Sequence, residues 1–204
     1  YFTGHAGKWH MGVHNAQTTD AQGFDYARSR RGATHTTPDR SKIFASRDPG
    51  ATYKLDANGY PQHDNLDDAL TFLDLAQGKD QPFFLYWCTW LVHGPIHTRS
   101  RALLEKYCDK MGVPFPDDPG PIQTMDEDGQ KNPYYGAMVE MLDYYTGQLM
   151  KHLKETDDPR WPGHKLIENT YIIFTSDNGG MVGDPKEKYT DNRPLQKGKI
   201  SAME

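Results

Sequence analysis

One stretch limits the possible folds more than any other: Phe83-Phe84-Leu85-Tyr86-Trp87-Cys88-Thr89-Trp90, a near-continuous apolar run of strand length. Such runs suit a strand covered on both faces, as in a parallel sheet held between helix layers. Thr170-Tyr171-Ile172-Ile173-Phe174-Thr175-Ser176 reads as a second buried strand, and Tyr1-Phe2-Thr3-Gly4-His5-Ala6 as the start of another. Helical patterns separate them. Asn65 to Ala76 places Leu66, Ala69, Leu70 and Leu73 on one face, with Gly78 and Pro82 beyond it as punctuation. Ser100 to Cys108 reads as a short helix. Tyr135 to Thr156 is a longer one, with Met138, Met141, Leu142, Tyr145, Leu149 and Leu153 as its buried stripe. Strands alternating with helices of these lengths imply an α/β fold, an α/β/α sandwich with a mostly parallel central sheet. Ligands of such sheets bind at the carboxyl ends of the strands.

Polar segments fill the rest. Val13 to Asp64 has little periodicity and carries the turn signals Asp48-Pro49-Gly50 and Asn58-Gly59; Gly112 to Asn132 is rich in Pro, Asp and Gly. Loops at strand ends commonly set specificity, so both are expected to line the approach to a site. An aromatic content of 12% is too high for a solvated, disordered chain. A formal net charge of −5, mixed in sign along the chain, argues against a general nucleic-acid or membrane-surface binder. No apolar stretch is long enough to span a bilayer. Cys88 and Cys108 make neither a CxxC pair nor a zinc spacing; Cys88 reads as a buried thiol, and a disulfide between the two stays open.

Candidate chemistry lies at the strand ends. In Gly7-Lys8-Trp9-His10-Met11-Gly12 an extended backbone would put Lys8 and His10 on one face, about 7 Å apart, with Trp9 on the other. His93 follows the apolar run, just before Gly94-Pro95. Asp177-Asn178-Gly179-Gly180 follows the second run and offers a carboxylate and an amide oxygen, hard ligands suited to Ca²⁺ or Mg²⁺. Each group has a bland alternative in a strand tip or a turn. Together, cationic donors around an oxygen-bound metal suit an anionic tetrahedral group, a phosphoryl or sulfuryl, with a histidine able to protonate the leaving oxygen.

GKWHMG, PFFLYWCTWLVHGPIH, TYIIFTSDNGG and RPLQKGKISAME stand in the order and approximate spacing of the type I sulfatases of the alkaline-phosphatase superfamily. The chain resembles that family over nearly its whole length, Tyr1 to Glu204. The resemblance implies that Lys8 and His10 contact the sulfate and the nucleophile. His93 would be a sulfate contact and proton donor to the leaving group, and Asp177 and Asn178 metal ligands, usually for calcium, with Mg²⁺ as the other option. The family's last block has a lysine five residues before a glutamate, which selects Lys199 before Glu204 and not Lys197. His97 and Arg99 stand close enough in sequence to His93 to be expected as substrate contacts.

The family's formylglycine nucleophile arises from a Cys/Ser-x-Pro/Ala-x-Arg motif upstream of GKWH, with paired acidic metal ligands nearer the N-terminus; neither cysteine and no serine here fits that motif. Thr36-Thr37-Pro38-Asp39-Arg40 copies its shape, but after GKWH and in a polar loop. The expectation is therefore a piece of one sulfatase catalytic domain, incomplete at both ends, inactive alone, with its nucleophile and half its metal shell outside it. A sulfated small molecule or polysaccharide is the expected substrate, and export the expected localisation of such an enzyme. Three alternatives stay open: a phosphoester or phosphonate hydrolase of the same superfamily, a non-catalytic anion-binding homologue, and a structural α/β module.

Overall fold

Phe2, Gly4 and Ala6 can share one face of a strand only if the segment around them is extended, and it is: β1, Phe2–Gly7, is the central strand of a parallel sheet. The computed structural model describes residues 1–12, 15–29, 43–94, 96–120, 131–182 and 190–201. Thr36-Thr37-Pro38-Asp39-Arg40 and half of the Gly112 to Asn132 loop lie outside them. On one side β1 pairs with β2, Tyr26–Arg28, Gly4 standing opposite Tyr26; on the other it pairs with β3, Phe83–Cys88, Phe2 standing opposite Phe83. Among the described residues, three parallel strands with a helix packed on them match the α/β class expected of an alkaline-phosphatase-like fold.

Helix α1, Asp64–Gln77, packs on this sheet. Its Phe72 and Leu73 join Phe2, Tyr26, Leu153 and Leu166 in the apolar core, with Phe83 and Leu85 at the margin. The ring of Phe72 stacks on Phe2 at 5.1 Å between centroids and lies directly over Gly4, where an added Cβ would come within 2.3 Å of it. Gly4 is thus a hole shaped for a ring. Gly7 ends the strand at φ 114, a backbone open to glycine, with the Cys88 carbonyl and the Asn65 amide crowding the place of a Cβ. On the opposite face His5 is buried among Trp9, Phe24 and Tyr86. Burial holds its imidazole below the ordinary histidine range.

The chain divides into two compact units. The first, 1–35, 62–91 and 142–172, holds the sheet and α1. The second, 36–61, 92–141 and 173–204, holds α2, Arg101–Met111. Ser100 caps α2 by accepting from the Leu103 N–H at 3.2 Å, and Gly112 closes it at φ 69. Helix α3, Pro133–Glu155, starts at a proline after Asn132, whose Oδ1 accepts from the N–H groups of Tyr134 and Tyr135. Of its expected stripe, Met138, Met141, Tyr145 and Leu153 are fully buried.

Three expectations need correction. Among the described residues the apolar run at β3 is not covered on both faces: Phe83 and Leu85 meet the core, while Phe84 and Tyr86 are about half exposed. The stretch Thr170–Ser176 forms no strand among the described residues, and Tyr171, Ile173 and Phe174 are 100%, 87% and 75% exposed. Its composition favours a strand, but a strand exists only through a hydrogen-bonded neighbour, and none is paired with it there. The polar region before Asp64 is less structureless than its sequence suggests. It supplies β2, bridges Ser46 to Lys54 and Leu55 to Pro61, and closes turns at Asp48 and Asp56. Cys88 and Cys108 are both free thiols.

His63, at the N-terminal cap of α1, is buried with its ring stacked on Tyr145 at 4.4 Å. Burial pushes its imidazole down from 6.5 to about 3. The unfolded chain takes up this proton below pH 6.5 and the folded chain does not. The group's contribution to stability is therefore complete above pH 6.5 and declines as pH falls toward 3, at up to about 1.4 kcal/mol per pH unit. Denaturant unfolding between pH 4 and 7.5 should show a shallower acid limb for His63→Phe than for wild type; identical slopes would remove His63 as the cause.

Candidate functional site

Two of the expected site residues, from parts of the sequence 106 residues apart, come together: Lys199 Nζ lies 3.2 Å from His93 Nε2. His93 is exposed, and its Nδ1 lies 2.6 Å from the Gly94 carbonyl oxygen. A carbonyl only accepts, so Nδ1 carries the proton and Nε2 presents its lone pair to the Lys199 ammonium. The pair thus holds one imidazole tautomer and one positive charge at a solvent-accessible point. Lys199 is positioned by its backbone N–H, which donates to the Gly180 carbonyl at 3.0 Å. The next residue, Ile200, has φ 74, a left-handed conformation that β-branched residues rarely adopt and that costs about 1–3 kcal/mol.

That hydrogen bond also places Lys199 beside the Asp-Asn-Gly-Gly turn. Ser176 Oγ donates to the Asn178 carbonyl at 2.7 Å, and Asn178 Nδ2 donates to the Gly179 carbonyl at 2.7 Å, folding the segment back on itself. Asp177 is exposed and Asn178 half-buried. With Nδ2 engaged, the amide oxygen is the Asn178 atom that a hard cation would take. The donor type therefore fits calcium or magnesium, but the number does not suffice alone: no group of three or more His, Cys, Asp or Glu is gathered among the described residues.

Lys8 and His10 belong to the first unit. Lys8 is half-buried, its backbone N–H donating to the Cys88 carbonyl and its ammonium lying 5.4 Å from the Trp90 ring centroid, a cation–π arrangement. Trp9 packs its ring on His5 and Phe24 and donates Nε1–H to the Gln17 carbonyl at 2.7 Å. His10 is exposed. Because β1 ends at Gly7, the strict two-residue alternation expected for Lys8 and His10 does not extend to them.

His97 and Arg99 differ from the exposed His93. His97 is fully buried, and Arg99, 2% exposed, lays its guanidinium on the Tyr53 ring at 3.3 Å and directs Nη1 at the Ile43 carbonyl. These contacts give Arg99 a packing role in the second unit. Asn192, which no sequence pattern singled out, does more for the site. Its Nδ2 lies 3.3 Å from both the Gly180 and the Lys197 carbonyl oxygens, and its Oδ1 accepts from the Thr190 hydroxyl at 3.1 Å. It ties the turn after Asn178 to the loop carrying Lys199. The Asp-Asn-Arg-Pro cluster before Leu195 is the turn signal that marks it.

The sulfatase family model matches residues 1–202. A sulfatase from Formosa agariphila is 35% identical over 144 residues, covering 68% of this chain and 22% of its own length. The N-acetylgalactosamine-6-sulfatase of Canis lupus familiaris is 28% identical over 139 residues, covering 68% of this chain and 20% of its own. The solved structure of Ps i-CgsB in complex with k-i-k-neocarrahexaose aligns with a TM-score of 0.58 at 26% identity, over 98% of this chain and 41% of that one. The chain thus spans about a fifth of the length of these two relatives. With a family match that runs almost from end to end, over the same segments that carry Lys8, His93, Asp177 and Lys199, this chain belongs to the sulfatase family.

Proposed function

We propose that the protein carrying this chain hydrolyses a sulfate ester on a carbohydrate. The observation that carries the reading is the His93–Lys199 pair, an ammonium and a tautomerically fixed imidazole held together at an exposed point of the second unit. Family membership supports sulfate as the group acted on. The saccharides named for the N-acetylgalactosamine-6-sulfatase and for the neocarrahexaose complex support a sugar as its carrier.

In this reading Lys199 contributes positive charge to the sulfate oxygens, where a preorganised donor stabilises charge that grows in the transition state. A bound sulfate draws the ammonium away from Nε2, and the negative charge beside the imidazole favours its protonated form. His93 can then give that proton to the leaving oxygen. Lys8 and His10 are assigned to the sulfate and the nucleophile. Asp177 and Asn178 would hold a divalent cation, calcium before magnesium, together with oxygen ligands from outside this chain. When bound, the cation supplies Lewis-acid charge at the sulfate. The nucleophile is assigned to a formylglycine, also outside this chain.

Turnover of 4-nitrocatechol sulfate and 4-nitrophenyl phosphate, by the full-length gene product and by residues 1–204 alone, tests the reading. Sulfate turnover by the longer protein and none by residues 1–204 is expected. A preference of the longer protein for the phosphate ester, or activity of the 204-residue chain, would overturn it.

A further inference from the structure

Beside the Lys199 loop the second unit holds a cleft of about 330 Å³, bounded among others by Val182, Asp191, Asn192, Arg193, Leu195 and Gln196. We propose that this cleft is a saccharide subsite that takes a sugar ring of the sulfated substrate; the proposal rests on the carbohydrate sulfatase reading given above.

Position is the first argument. Gly180, whose carbonyl accepts the Lys199 N–H, is also the acceptor for Asn192, so one edge of the cleft is built on the segment that sets the catalytic lysine. A substrate whose sulfate meets Lys199 has its sugar close to this edge. Size is the second. The volume lies at the low end of small-molecule sites, about 300–1,000 Å³, and suits a ring or two, not a protein segment.

Chemistry decides the occupant. Asp191 Oδ2 accepts from Arg193 Nε at 2.6 Å and from an Nη of the same guanidinium. The pair is neutral overall, and its carboxylate opposes a second anion, so the cleft is a poor place for the sulfate itself. Sugar hydroxyls both donate and accept, and they can bridge a carboxylate, a guanidinium and the Gln196 amide at once. Val182 and Leu195 add apolar surface of the kind that a ring's C–H face covers. The ion pair holds the long Arg193 side chain before any ligand arrives, which reduces the ordering cost of binding. Thr190, buried, fixes the Asn192 amide from beneath.

The test compares two substrate types on the full-length protein. One is 4-nitrocatechol sulfate, which has no sugar; the others are N-acetylgalactosamine 6-sulfate and neocarrahexaose. Arg193→Gln and Asp191→Asn are expected to lower the ratio of saccharide to aryl-sulfate kcat/KM about tenfold or more, because each leaves a hydroxyl without its partner. Gln196→Ala, at an exposed position, is expected to lower the same ratio less, and it keeps the test valid if a loop variant fails to fold. An unchanged ratio in all three variants overturns the subsite. So does wild-type turnover of the aryl sulfate with neither saccharide accepted, an outcome that leaves the sulfatase reading standing. Inactivity of the wild type toward every sulfate ester overturns the underlying reading, and the subsite with it.

Discussion

Lys199→Ala is expected to lower kcat for sulfate-ester hydrolysis by the full-length protein about 10²–10³-fold, the effect of removing one preorganised charged donor from a transition state. Lys197→Ala is the sharp control. Lys197 is exposed, two residues away, and contributes its backbone carbonyl to Asn192, an interaction that alanine keeps. Its replacement should change kcat less than about threefold, as surface substitutions usually do. Because Lys199 Nζ lies 3.2 Å from His93 Nε2, His93→Ala should overlap with it. The double variant should fall well short of the product of the two single effects, since residues acting as a unit are not additive. Comparable losses at Lys197 and Lys199 would show that the loop, and not the Lys199 ammonium, carries the effect.

Phe72→Ala should be the most damaging single truncation for folding. The Phe72 ring is fully buried, stacks on Phe2, lies within 5.8 Å of the Tyr26 ring and 6.3 Å of the Phe83 ring by centroid, and fills the space above Gly4. It therefore touches β1, β2 and β3. Truncation removes the transfer free energy of the ring and leaves a cavity that the strand backbones cannot collapse into, about 3–5 kcal/mol in all. Thermal unfolding should move down by roughly 10 °C. Leu75→Ala on the same helix, at a residue 48% exposed, should cost under about 1 kcal/mol, so α1 as a helix is not what Phe72→Ala tests. Equal losses at the two positions would count against the packing account.

The sequence pattern foretold α1 and α3 because their apolar residues recur at helical spacing against one core. The identity of β1 was legible for a related reason, a run of small and apolar residues closed by a glycine. Tyr26–Arg28 was not. Three residues carry no period, and β2 exists because Gly4 and Tyr26 stand in register across more than twenty residues of chain. Conversely, Thr170–Ser176 has the composition of a strand and no partner among the described residues, so composition alone misjudged it. In the site, Lys199 was legible only through its place in a family motif, since nothing local separates it from Lys197. Asn192 escaped notice because its role lies in two carbonyls that the fold brings together, Gly180 and Lys197. For His97 and Arg99 the expectation of substrate contact rests on sequence proximity to His93 alone, and the structure adds that both side chains are buried.

The parallel pairing of β1 imposes an order in time. Phe2 meets Phe83, so the strand that ends up at the centre of the sheet leaves the ribosome with one of its partners about 80 residues away from being made. At roughly 5–20 residues per second, β1 waits about 4–16 s for that neighbour. During that interval Phe2 and Ala6, later buried, face solvent or a chaperone, and synonymous changes that slow translation between Arg28 and Phe83 lengthen the exposure without altering a single residue.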